Sequence, residues 1–116
     1  MKVFVYYNLH KKVFSVKALE GDRKGLVVAH VSQIGLTDVT FRVSEAGRQR
    51  VLRERKKNVH AGVVGQWSGL HDQQGLEPVT YNPYKYSSFV RQADETPVFQ
   101  SPRAWLENRK IFAELA

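Results

Sequence analysis

Residues 39–57 read VTFRVSEAGRQRVLRERKK, and this stretch predicts a strand that is followed directly by a helix. Apolar side chains at the odd positions 39–43 alternate with polar ones, which is the period of a strand with one solvent-exposed face. Ser44 is a favourable N-cap, and Glu45 stands in the first turn, where its charge complements the helix dipole. We therefore expect a helix from Glu45 to about Lys57 and a fold of the α+β class.

The predicted helix is too polar to lie inside a core. Only Ala46, Val51 and Leu52 are apolar, a narrow stripe that is typical of a helix lying on a surface. The expected architecture is a single domain over residues 1–116. It consists of a curved, mainly antiparallel sheet of five or six strands with one basic helix packed on it.

Strands are predicted on both sides of this junction. Val3–Tyr7 and Val13–Ala18 are rich in aromatic and β-branched residues and form a hairpin, and Leu26–Val31 is a third strand. Further along the chain, the expected strands are 58–67 and 78–81.

The C-terminal residues 101–116 allow two structures. Ser101 can cap a helix with Pro102 at its first position. Alternatively, a hairpin can turn over Asn108-Arg109. The sequence leaves both alternatives open.

Composition excludes several classes of protein. The 116 residues fit one domain, and the absence of cysteine excludes a disulfide framework, a thiolate zinc site and a cysteine nucleophile. No apolar run is long enough to span a bilayer, so we expect a cytoplasmic protein that does not bind membranes. The net charge of +7 favours a polyanionic partner, usually nucleic acid or a phosphorylated ligand.

More than half of that charge lies in the predicted helix, because residues 44–57 carry a net charge of +4. Arg50, Arg53 and Lys57 fall on one helix face, opposite Val51 and Leu52, and form a basic ridge. Arginine offers a planar fork to phosphate, so such a ridge suits a phosphate backbone. The candidate phosphate-binding residues are Arg48, Arg50, Arg53, Arg55, Lys56 and Lys57. The alternative is an ordinary solvated helix with pairs such as Arg50–Glu54.

Residues 80–89 read TYNPYKYSSF and combine aromatic rings with a positive charge. Single-stranded nucleic acid is often held in this way, because every base can stack on an aromatic ring. The candidate stacking residues are Tyr81, Tyr84 and Tyr86. The alternative is a turn at Asn82-Pro83 whose tyrosines only pack their rings.

Asn58 and His60 follow the basic helix and are predicted to share one strand face, where they can supply hydrogen bonds. A histidine there could also act as a general base, with His30 as a second candidate. The sequence shows no metal-ligand spacing and no glycine-rich phosphate loop. We therefore expect no metal and no cofactor.

Three segments carry a resemblance to a known family. They are 42–61, with RVSEAGRQRVLRE and KNVHA, then YYNLHK at residues 6–11 with Ser15-Val16, and YNPYK at residues 81–85. With these motifs the chain resembles a family of small uncharacterised tailed-phage and prophage proteins. The resemblance implies a phage-encoded accessory protein in the host bacterial cytoplasm.

Three functions are compatible with these features. The favoured one is non-enzymatic binding of nucleic acid or a nucleotide-like polyanion. The first alternative is a phage counter-defence protein that sequesters a nucleotide signal or blocks a host defence protein. The second alternative is a metal-independent nuclease or phosphodiesterase that uses His60. The oligomeric state stays open, and a homodimer is compatible with the sequence.

Overall fold

The computed structural model describes residues 1–69 and 73–115, which contain ten strands and one helix. In chain order the elements are β1 Lys2–Asn8, β2 Val13–Ala18, β3 Val27–Val31, β4 Gln33–Val43, α1 Glu45–Glu54, β5 Ala61–Ser68, β6 Glu77–Thr80, β7 Phe89–Arg91, β8 Pro97–Val98, β9 Gln100–Glu107 and β10 Lys110–Ala113.

All ten strands belong to one antiparallel sheet with the order β3-β2-β1-β5-β4-β9-β10-β6-β7-β8. The prediction of an α+β fold with five or six strands and a basic helix is therefore wrong. The described residues are mostly β, and the one helix among them has only ten residues. The helix is an excursion between β4 and β5, which pair with each other directly.

Half of β4 has no clear strand pattern in the sequence. The strand begins at Gln33, six residues before the predicted start, and it buries Ile34 and Leu36. Gly35 between these two residues weakens the apparent strand propensity, because glycine is depleted in strands. The pairing of β4 with both β5 and β9 stabilises the extended backbone there.

The C-terminal segment forms the hairpin and not the helix. Strands β9 and β10 pair around a turn at Asn108 and Arg109, whose φ angles are 50° and 68°. Positive φ at both central residues is the requirement of a type I′ turn. Pro102 lies inside β9 opposite Asp38, at the position that the β4–β9 pairing skips between the pairs Thr37–Arg103 and Val39–Ser101. Proline is tolerated where the ladder is interrupted in this way. Asp38 has φ 50° and belongs to the bulge of β4 against β5, between Thr37 and Thr40.

Both ends of the sheet curl back on its centre. The edge strand β3 and the central strand β4 are joined by Ser32 alone, so two residue steps, or about 7 Å, link them. In a flat sheet they would lie four strand spacings, or about 19 Å, apart. The other edge strand, β8, is joined to β9 by Phe99 alone and lies four spacings from it along the sheet. The sheet therefore bends into two lobes that share the strands around β4.

One continuous core fills these lobes. It includes Val3, Val5 and Val16 from the N-terminal hairpin and Leu36 and Leu106 from the shared strands. Burial of such side chains contributes about 1.5–3 kcal/mol each. Because the core spans both lobes, strands distant in sequence are held in one body.

The helix begins as predicted but ends earlier. The Ser44 hydroxyl accepts a hydrogen bond from the Gly47 N–H at 3.2 Å. Arg55 adopts a left-handed conformation with φ 54°, and its N–H caps the carbonyl of Val51. Residues 55–60 are irregular, so β5 begins at Ala61 and not at residue 58.

Candidate nucleic-acid interface

The exposed cations of the helix and its C-terminal extension form a continuous basic segment. Its members are Arg50, Arg53, Arg55, Lys56 and Lys57, all of them exposed. Arg50 lies 3.9 Å from Glu54, a distant and exposed pair that leaves the guanidinium open to other ligands. For the other four, the described part of the chain shows no ion pair. Phosphate groups can therefore approach this segment.

Arg48 has a different environment, although the sequence grouped it with these cations. Only 16% of its side chain is exposed. Its Nε donates to the carbonyl oxygens of Pro83 at 3.0 Å and Tyr86 at 2.9 Å, and a terminal nitrogen lies 3.0 Å from Glu45. Arg48 thus fastens the 82–88 loop to the helix, and its guanidinium is engaged within the fold.

Glu45 helps to orient this arginine. Its carboxylate accepts from Gln49 at 2.8 Å as well as from Arg48. The hydrogen bond from Gln49, with a smaller contribution from the positive charge of Arg48, holds the pKa of Glu45 below its ordinary value. The carboxylate is therefore charged at neutral pH and part of the arginine's charge is compensated.

His60 lies at the junction of the irregular segment and β5, with both ring nitrogens engaged. Nδ1 lies 2.8 Å from the carbonyl oxygen of Asn58, and Nε2 lies 2.7 Å from the hydroxyl of Tyr81. A carbonyl oxygen can only accept, so Nδ1 carries a proton, and in a neutral imidazole Nε2 then accepts from the Tyr81 hydroxyl. Burial raises the pKa of Tyr81 to about 12, so its hydroxyl is a donor at neutral pH.

The structure does not bring the two catalytic candidates together. His30 lies on β3, where its Nδ1 is 3.1 Å from the Ser15 hydroxyl. Strands β2 and β1 separate β3 from β5, a distance of about 14 Å along the sheet. Asn58 lies outside the strand in the irregular segment, so the predicted shared strand face with His60 does not form.

The three candidate stacking tyrosines have different environments. The ring of Tyr81 packs against Phe89, with centroids 5.1 Å apart, and against His60 at 5.5 Å. The Tyr86 hydroxyl donates to Glu95 at 2.8 Å, and this hydrogen bond raises the pKa of Tyr86. Of these three, Tyr84 presents its ring most openly, with 56% of its surface exposed.

A groove that the sequence did not predict opens next to the basic segment. It has a volume of about 580 Å³, within the range of small-ligand sites. Among the described residues, its lining combines aromatic rings, hydroxyls and two cations, Lys17 and Arg42, and includes no carboxylate. The lining residues are Phe4, Lys17, Phe41, Arg42, Val43, Ser44, Val59, His60, Ser87, Ser88 and Phe99.

Gly62 determines where the ring of Phe4, one of the lining residues, can lie. A Cβ atom at this position would lie 2.5 Å from Cζ of Phe4 and 2.6 Å from the carbonyl oxygen of Val5. The phenyl ring of Phe4 can therefore lie over the strand only because residue 62 has no side chain. The rim carries two exposed apolar side chains, Phe99 at 61% and Val59 at 53%.

Apart from His60, the residues that line the groove were not predicted from the sequence, because they come from separate segments of the chain. Lys17 and Arg42 occupy the polar positions of their predicted strands. This was the one feature of the sequence that could have indicated that they face the same side of the sheet. Phe99 belongs to no periodic pattern, and only the bend between β8 and β9 places it beside the others.

Within residues 1–69 and 73–115, no group of three or more His, Asp or Glu side chains lies close enough together to hold a metal ion. Among the same residues, no helix has the length and apolar character needed to cross a membrane.

The sequence profile of a family described as Mycobacterium phage L5 gene 82 protein matches residues 1–114. The gene 82 protein of Mycobacterium phage L5 is 38% identical over 120 aligned residues. The alignment covers 97% of this chain and 95% of the phage L5 protein. No solved structure matches the chain. The resemblance to a phage protein family is thereby confirmed.

Proposed function

The chain belongs to the Mycobacterium phage L5 gene 82 protein family, and we propose that this phage protein binds single-stranded nucleic acid without catalysing a reaction on it. The observation that carries the proposal is the basic segment, five exposed cations within eight residues, beside an aromatic groove. As a phage protein, it is expected to act in the cytoplasm of the bacterial host.

The electrostatics of the basic segment support a phosphate backbone as the ligand. Arg50, Arg53 and Lys57 are already exposed to solvent in the fold. Phosphates can therefore contact them without any buried group having to be uncovered. Each phosphate that they neutralise on a single strand releases counterions and contributes about −0.7 to the slope of log affinity against log salt. These three contacts therefore contribute roughly −2 to the slope, and any further phosphate contact adds to it.

The environment of His60 supports binding rather than catalysis. Nε2 accepts from Tyr81 and Nδ1 donates to Asn58, so both ring nitrogens make contacts within the fold. To take a proton from a substrate, Nε2 would first have to exchange its hydrogen bond with Tyr81 for one with the substrate. His30 has its own partner on β2.

The test is fluorescence anisotropy with a labelled single-stranded oligonucleotide at several salt concentrations. Replacing Arg50, Arg53 and Lys57 with Ala should weaken binding strongly at low salt and remove roughly 2 from the salt slope. A triple variant of the exposed turn and hairpin residues Lys11, Lys24 and Lys110 loses the same charge elsewhere and should keep most of the slope. Binding that ignores salt, or equal losses in both variants, would contradict the proposal.

Catalysis is tested separately by incubating the protein with RNA in the presence of EDTA. We expect no product. Metal-independent cleavage that is lost in His60→Ala would support the nuclease alternative instead.

The groove also supports a second candidate, a protein that sequesters a free nucleotide signal as a counter-defence. Its volume suits one small ligand. Saturable binding of a mononucleotide, at least as tight as that of an oligonucleotide, would favour this function.

A further inference from the structure

We propose that the groove holds one nucleotide of the bound strand, with the base against Phe99 and the flanking phosphates at Lys17 and Arg42. This inference rests on the proposed function, because it names where a base of the same strand lies. None of these three residues belongs to the basic segment.

The exposed ring of Phe99 supports a nucleobase as the occupant of the groove. Its side chain is 61% exposed, although its backbone is fixed by a hydrogen bond from the Phe41 N–H to the Phe99 carbonyl at 2.9 Å. A large apolar ring held in solvent at the mouth of a groove is available to cover another flat apolar surface. Nucleobases present such a surface in single strands, where aromatic side chains stack on them.

The positions of the two lining cations support an anionic ligand in the groove. Lys17 is the cross-strand partner of Phe4, and Arg42 is the partner of Gly62, over which the Phe4 ring lies. The two cations therefore stand on opposite sides of this ring. None of the described lining residues carries a carboxylate, so the groove that they form complements an anion with a flat apolar group, such as a nucleotide.

The groove is continuous with the basic segment, which supports a strand as the occupant. Val59 and His60 form part of the groove wall, and they follow Lys56 and Lys57 by only a few residues. A strand whose phosphates lie on the basic segment can thus continue into the groove. A free nucleotide would leave the neighbouring cations without a ligand, which favours a strand as the occupant.

The experiment compares a single-stranded oligonucleotide with an abasic oligonucleotide of equal length, which keeps the phosphates and lacks the bases. The wild type should bind the base-containing strand more tightly, by about 5- to 100-fold if one base stacks. Phe99→Leu keeps an apolar side chain but removes the ring, and it should bring this ratio close to one while the salt slope persists. Trp67→Leu, which removes an exposed ring on a residue that does not line the groove, should keep the ratio.

A second pair of variants tests the cations. Lys17→Gln with Arg42→Gln should weaken binding of both oligonucleotides and lower the salt slope by roughly 1.4, for two phosphates. Lys11→Gln, at the far end of the β1–β2 hairpin, should lower it little. Circular dichroism and melting curves establish that each variant is folded.

The outcomes separate the two proposals. An unchanged ratio in Phe99→Leu, with the salt slope intact, overturns the groove assignment and leaves the basic segment as the binding site. If a free mononucleotide competes as strongly as the oligonucleotide, the assignment to a strand is overturned. If neither oligonucleotide binds, the proposed function and this inference fall together.

Discussion

The hydroxyl of Tyr81 donates to Nε2 of His60 across 2.7 Å and thereby joins the 82–88 loop region to the start of β5. The two residues are 21 positions apart in the chain. Their contact lies between the basic segment and the aromatic core, because Tyr81 also packs on Phe89. The pair therefore positions one wall of the groove relative to the sheet.

Alkaline pH should destabilise the protein partly through Tyr81. The pKa of this phenol is about 12 in the folded state and near 10 in the unfolded chain. Between these values the unfolded state binds fewer protons than the folded state, so stability falls as pH rises from 10 towards 12. Urea unfolding midpoints at pH 8 and pH 10–11 measure the decline. Tyr81→Phe should show a shallower decline than the wild type, and equal slopes would contradict the assignment.

Arg48 should matter for stability and Arg50 should not. Arg48→Ala removes two charge-assisted hydrogen bonds to the 82–88 loop, so we expect a loss of about 2 kcal/mol in the free energy of unfolding. Arg50→Ala removes the same kind of side chain from an exposed position and should cost under about 0.5 kcal/mol. Chemical denaturation of both variants provides the comparison. A cost for Arg50→Ala as large as that for Arg48→Ala would mean that Arg50 is packed.

Gly62→Ala should destabilise the fold by about 1–3 kcal/mol, because the new methyl group overlaps the Val5 carbonyl and the Phe4 ring. The backbone oxygen cannot move without disturbing the β1–β5 pairing. Gly69→Ala is the matched control, since a Cβ there meets no described atom within 4 Å. Thermal melting distinguishes the two, and equal melting temperatures for both variants would show that the packing around Gly62 can adapt.

Arg55→Gly should change stability and binding in opposite directions. Arg55 has φ 54°, a left-handed conformation that glycine adopts without steric cost. The substitution should stabilise the helix C-terminus by up to about 1 kcal/mol. It also removes one cation of the basic segment and should reduce the salt slope by about 0.7. A loss of stability would indicate an interaction of the arginine side chain with the fold.

Local sequence patterns predicted the elements that depend on local interactions. The β1–β2 hairpin, the N-cap at Ser44 and the core of β5 follow from alternation and capping preferences. The first halves of β4 and of β9 were missed, because their extended backbone is stabilised by partners far along the chain. Pro102 in particular indicated a helix start, whereas in the structure it lies in β9 at the position that the pairing with β4 skips, opposite Asp38.

The candidate site, too, could be predicted only where it depends on local sequence. The composition of residues 50–57 indicated a basic surface. The internal hydrogen bonds of Arg48 and the packing of Tyr81 depend on long-range contacts that local patterns do not contain. The fold class was wrong for a related reason: a short capped helix beside a strand gives no indication that the flanking strands pair directly.

The strand order also governs when the protein can fold during synthesis. The inner partner of β1 is β5, some sixty residues later, and β4 pairs with β5 and β9, both of which follow it. On the ribosome, the N-terminal hairpin and β3 therefore emerge long before most of the sheet can assemble around them. Such non-local pairing is typical of domains that fold in milliseconds to seconds. Stopped-flow refolding of the purified protein should give a rate in that range. During synthesis, the final pairing waits until β9 and β10 have left the ribosome.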